Sequence, residues 1–118
     1  MLDAGRLRHR VKIQYLETLM DSAGNTQDDN GELLQEWMEL GVVWAAIEPL
    51  SAREFVSAQA EQSKVVAKII IRHRNDIDPS MRIYHQAQDK YYNIEGILTD
   101  KDSGLEYLTL PVSEGVRE

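Results

Sequence analysis

Cysteine is absent from the 118 residues, which removes disulfides and thiolate metal centres from the available chemistry and fits a reducing compartment. No window holds eighteen apolar residues, and Met1 to Arg10 carries no apolar stretch of the signal-peptide kind. The sequence therefore predicts a soluble protein without a recognisable targeting signal. No Asn-x-Ser/Thr glycosylation acceptor occurs. A basic excess is missing as well. The formal net charge is −7, whereas a general DNA or RNA binder carries positive charge to displace counterions from phosphates. What remains is globular: 42% hydrophobic and 28% charged residues, in a length that suits one domain over residues 1–118. Such a domain buries roughly two-thirds of its unfolded surface, enough for one core without staples.

Catalytic constellations are scarce too. The chain has no G-x-S-x-G elbow, no Walker loop and no G-x-G-x-x-G fingerprint, and its seven glycines scatter through turns and strand ends. The imidazoles, His9, His73 and His85, all fall at strand positions and lack the H-E-x-x-H or H-x₃₋₅-H spacing of a zinc site. Asp28 to Gly31 invites comparison with a calcium loop. With Gly31 in sixth place, however, Thr26 and Trp37 stand where an EF-hand needs an acid and a bidentate glutamate. The reading is of a non-enzymatic protein with no cofactor and no metal.

Charge is unevenly distributed. Arg6, Arg8, His9, Arg10 and Lys12 cluster near the start, while Asp21 to Glu36 is nearly all acidic or polar, a polarity that suits surfaces meant for different neighbours. From Arg8 to Leu19, His9, Val11, Ile13 and Tyr15 alternate with Arg8, Arg10, Lys12 and Gln14, which predicts a half-buried strand with a basic outer row. Asp21 to Gly31 is rich in turn formers without apolar anchors and predicts a long, mobile loop. Leu33 to Ile47 reads as strand. Trp37 and Trp44 differ in parity, and Gly41 between them is placed to form a bulge that returns both indoles to one face. Pro49, with no N–H to donate, ends the pairing.

Ser51 to Glu54 has the spacing of a capping box, in which hydroxyl and carboxylate each satisfy a backbone N–H of the first helical turn. Leu50 and Phe55 occupy the hydrophobic-staple positions. Together they predict one short helix over Ala52 to Gln62, too modest in apolar content to carry a core and expected to pack on the barrel or on a neighbouring subunit. Lys64 to Arg74 reads as strand again. Its outer row of Lys64, Lys68, Arg72 and Arg74 is interleaved with Val66 and Ile70, so that face is either covered within the fold or meets another protein. Met81 to Gln86 and Tyr91 to Leu98 form a hairpin, Asp100 to Gly104 a turn, and Leu105 to Val112 the closing strand. About six strands at regular spacing predict a mainly-β fold, a small barrel or sandwich with one helix.

The order of these features resembles the tailed-phage head-tail adaptor and head-completion family. Gly5 to Ile13 is similar to its basic lead-in; Trp44-Ala45 and Ser51-Ala-Arg-Glu54 to its Trp-Ala pair and capped helix. Ile69 to Arg74, Met81 to Ile83 and Tyr92 to Gly96 continue the likeness, which spans roughly Gly5 to Glu114. Two departures stand out: the Met20 to Gln35 loop is longer than is typical, and Pro111-Val112 stands where members often carry a cysteine. The resemblance implies a six-stranded β-barrel with one helix in a connection, acting at the head-tail interface of a virion assembled in the bacterial cytoplasm from a phage or prophage. It implies a dodecameric ring that docks below the portal or its adaptor, extends or closes the DNA channel and presents a platform to the tail-terminator or another tail-completion protein. On that reading Arg6, Arg8, Arg10, Lys12, Lys68 and Arg72 are candidates for docking on an acidic partner. Asp21, Asp28, Asp29 and Glu32 are candidates for a channel or plug loop. No membrane and no specific nucleic-acid contact is implied. A different phage connector of similar fold is the first alternative. An OB-like single-strand binder is the second, and would show itself by salt-sensitive DNA binding.

Overall fold

The computed structural model describes residues 4–20 and 23–115. After a short 3-10 turn at Ala4–Arg6 come β1 (His9–Thr18), β2 (Gln35–Pro49), helix α1 (Ala52–Ala60), β3 (Ala67–Arg72), β4 (Arg82–His85), β5 (Lys90–Ile94), β6 (Leu98–Thr99) and β7 (Tyr107–Glu114). All pairings are antiparallel. The order β3-β2-β1-β4-β5-β7 closes on itself through β3–β7, giving a six-stranded barrel; β6 adds a two-residue extra strand on β7. The alternation along each strand explains the closure. Val11, Ile13, Ile69, Ile71, Leu108 and Leu110 are all almost fully buried, because each is an inward residue of a period-two row.

The interleaved apolar residues of β3 have separate fates. Ile70, facing outward, is covered by Leu7 of the lead-in together with Ala46 and Tyr107, so a second small cluster forms outside the barrel. Val66 stays exposed.

The Gly41 bulge sets the geometry of everything beyond the barrel. Ile13 pairs with Gly41 but Gln14 pairs with Glu39, so Leu40 is the extra residue. Trp44 therefore lies opposite Arg10 and Trp37 opposite Leu16, and both indoles share the outer face. Pairing of β4 with β1 stops at Gln14 and that of β3 with β2 stops at Ala45. Tyr15–Thr18 and Gln35–Met38 thus run on as a two-stranded ribbon, which helps account for a molecule measuring 52 × 31 × 28 Å.

Arg82 clamps the root of this ribbon. Its guanidinium lies 4.1 Å from the Trp37 ring centroid and 4.3 Å from that of Tyr91, and its Nε donates to Gln14 Oε1 at 2.7 Å. Tyr91 in turn stacks on Tyr84 at 4.6 Å, and the Tyr84 hydroxyl donates to Asp89 at 2.8 Å. Burial lowers the Arg82 pKa from its ordinary value, but the flanking rings stabilise the cation.

Two expectations are sharpened and one needs correcting. The loop after β1, expected to lack apolar anchors, is held over its described residues by main-chain bonds and one Asx contact. Leu19 N–H donates to Leu34 O at 2.6 Å, Leu34 N–H to Thr26 O at 2.7 Å, and Gln27 bridges Leu33. The Asp28 carboxylate, accepting from the N–H groups of Asn30 at 2.8 Å and Glu32 at 3.0 Å, holds the tip as an Asx turn. Next, α1 buries none of its residues within one chain and is tied to the barrel by the Lys68–Glu54 ion pair; Phe55 is 52% and Val56 66% exposed. Finally, the closing strand begins at Tyr107 rather than Leu105. Asp100 takes the N–H groups of Ser103, Gly104, Glu106 and Tyr107, which extends the preceding turn.

Candidate partner-docking site

The lead-in and β1 carry most of the candidate cations, and the structure sorts them by partner. Arg6 is ion-paired with Glu48, Lys12 with Glu39 at 3.7 Å, and Lys68 with Glu54 at 3.1 Å. Arg72 lies over the Tyr107 ring at 5.8 Å. Arg8 and Arg10 have no carboxylate partner among the described residues. The Arg8 Nε donates to Gly5 O at 3.2 Å, and Arg10 lies over the Trp44 ring at 4.8 Å. The β1–β2 register explains the second contact, since Arg10 and Trp44 are direct cross-strand neighbours on the outer face.

These two arginines flank an open cleft of about 400 Å³, lined by Arg8, His9, Arg10, Trp44, His85, Gln86 and Ala87. The start of β1 supplies one wall and the end of β4 the other. At its base the His9 and His85 rings meet edge to face, 5.0 Å apart. His85 is buried, and its Nδ1 has no hydrogen-bond partner among the described residues. Burial, with the neighbouring charges of His9 and Lys90, holds its pKa below the usual imidazole range. Arg8 and Arg10 supply the cleft with permanent positive charge. Such a cleft can accept a carboxylate through charge-assisted hydrogen bonds and offer an indole edge to the apolar stem behind it.

Sequence reasoning missed this grouping. His9 and His85 are each legible as strand residues, but their meeting depends on β1 pairing with β4. The one available signal was parity: His9 shares the inward row of Val11 and Ile13, an unusual place for an unpaired imidazole.

The loop candidates lie at the other end of the ribbon. Asp28 is occupied in holding its own turn, Asp29 and Glu32 are exposed, and Asp21 lies outside the described residues. Of the cap residues, the Ser51 hydroxyl accepts from Glu54 N–H at 3.2 Å and the Glu54 carboxylate accepts from Ser51 N–H at 3.0 Å. Leu50 is half-buried and Phe55 exposed.

A sequence model of the phage head completion protein family matches residues 2–115. Head completion protein gp7 of Enterobacteria phage HK97 is 28% identical over 82 residues, which cover 70% of this chain and 67% of that one. The solution structure of SF1141 from Shigella flexneri 2a overlays with a TM-score of 0.73 at 30% identity, covering 99% of this chain and 100% of the other. A chain in the virion of a native gene transfer agent particle shares the fold at a TM-score of 0.55 and 19% identity, over 93% of this chain and 96% of its own.

Proposed function

The chain belongs to the phage head completion protein family, and from that premise we propose that it works as a single non-enzymatic domain, docking as a dodecameric ring below the portal or its adaptor. In this reading the ring completes the DNA-filled head, extends or closes the channel, and offers the tail-completion protein its platform. The observation that supports it most is the separation of charge along an elongated molecule. Arg8 and Arg10, without a carboxylate partner among the described residues, stand at the start of β1, and the acidic 28–32 turn lies beyond its other end. A ring component presents unlike surfaces to its neighbours, and such polarity distinguishes its two ends. Asp29 and Glu32 at the loop would repel the DNA backbone and so line a conduit without binding it.

The test is electron microscopy of particles from a phage or induced prophage whose copy of the gene carries an early stop. Filled heads without tails, or heads that have lost their DNA, beside finished free tails are the expected result. Normal tailed virions would overturn the proposal.

A further inference from the structure

The ribbon carries a feature that one chain alone leaves unbalanced. Glu17 and Glu36 are direct cross-strand partners, so two carboxylates of like charge sit side by side where opposite charges would favour pairing. Both are exposed, and neither has a cationic partner among the described residues. At the other end of the same strand, Arg8 and Arg10 have no carboxylate partner among the described residues, and beside them lies a cleft at whose base the buried His85 has an Nδ1 unpartnered among those residues. The two halves match in charge, in number and in exposure. They cannot meet within one chain. Arg10 and Glu17 lie on one strand that rises about 3.3 Å per residue, which puts them roughly 23 Å apart, far beyond ion-pair range.

We propose that the Glu17–Glu36 pair of one copy docks into the Arg8–Arg10–Trp44 cleft of the next, joining identical chains head to tail. Such a contact is heterologous: each copy gives one surface and receives on the other, so repetition closes a ring or runs on as a filament. Bidentate pairing of arginine with carboxylate fixes the orientation as well as the contact. The docking also removes the cross-strand repulsion, so the ribbon straightens its electrostatics only in the assembly. The inference rests on the ring reading above but names the surfaces that build the ring, and it leaves the loop tip free at the channel.

The absence of cysteine allows a clean test. Met38→Cys places a thiol on the same ribbon face as Glu36 and Glu17, two residues along β2, and Ala87→Cys places one on the cleft wall. The doubly substituted chain is introduced into particles and treated with a short bismaleimide. Head-to-tail docking gives a ladder of dimers, trimers and higher species in the double variant and none in either single variant. Single-variant dimers without a ladder, or no products from particles that contain the chain, would overturn the inference. An immunoblot of the particles reports separately on the head-completion reading. Should the chain be missing from particles, the same reaction on the concentrated purified protein decides the docking, with a ladder supporting it and monomer overturning it. Charge exchange supplies a second measurement. Arg8→Glu with Arg10→Glu, or Glu17→Lys with Glu36→Lys, each lowers the ladder at least about tenfold, the scale of losing one close interfacial charge pair. All four together restore it. Failure of that restoration while circular dichroism shows intact folding would count against the pairing.

Discussion

Glu54 is held by groups from two elements. Its carboxylate accepts the Ser51 N–H that opens α1 and an ion pair from Lys68 on β3, so one side chain both caps the helix and ties it to the barrel. The Ser51 backbone bond, followed by Lys68 and the Ser51 hydroxyl, lowers its pKa from 4.5 to about 2. A carboxyl depressed in the folded state contributes stability that is complete above its unfolded value and is lost as pH falls through the folded one. The helix attachment is therefore expected to weaken between about pH 4.5 and pH 2. In denaturant titrations across that range, Glu54→Gln is expected to lower stability at pH 7 and to converge on the parent by pH 2. A constant gap at all pH values would show that the carboxylate charge is not what holds the helix. Asp100 acts similarly in the turn before β7, where four backbone N–H groups push its carboxyl well below the usual range.

Among the elements, the β1–β2 ribbon depends on a single inserted residue. Leu40 is the residue that the register skips, and the face on which Trp37 sits follows from it. Deleting Leu40 is expected to shift the outer ribbon by one position and turn Trp37 away from Arg82, because a slip of one reverses every side chain. In a Trp44→Phe background the emission of Trp37 reports the change: a red shift is expected as the indole leaves the guanidinium for water. An unshifted spectrum would mean that the clamp, rather than the bulge, fixes the face. This device was legible in the sequence, since Trp37 and Trp44 are of unlike parity and Gly41 lies between them. So were the helix, from the spacing of Ser51 and Glu54, and the barrel strands, from alternation. The short β6 was not, because a two-residue strand has no periodicity to read. Neither was the order in the 26–34 turn, which rests on main-chain bonds and one Asx contact instead of apolar anchors. The cleft was half legible. Its arginines stand out as a basic row, but their release from local carboxylates depends on which strands lie beside them.

For the whole molecule, the loop and the barrel are separable. The 26–34 turn makes its bonds within itself and to Leu19, and the barrel closes without it through β3–β7. Removal of residues 22–30 is therefore expected to leave the melting temperature within a few degrees, about 1 kcal/mol or less of the folding free energy. The same deletion in particles is expected to cause DNA leakage or loss of tails. Infectious particles with full heads would argue that the loop has no part in the channel.

Closure of the barrel has a further consequence wherever many copies of the chain share one solution. A sheet without ends offers no row of open amide and carbonyl groups for another chain to extend. Apart from the two-residue β6, such a row persists along the ribbon, since Gln35–Met38 pairs with β1 alone. Glu17 and Glu36 stand on that stretch, and an incoming strand of the same sequence would bring like charge against them. The carboxylates that burden the isolated chain thus also guard it against growing an uncontrolled sheet while copies accumulate.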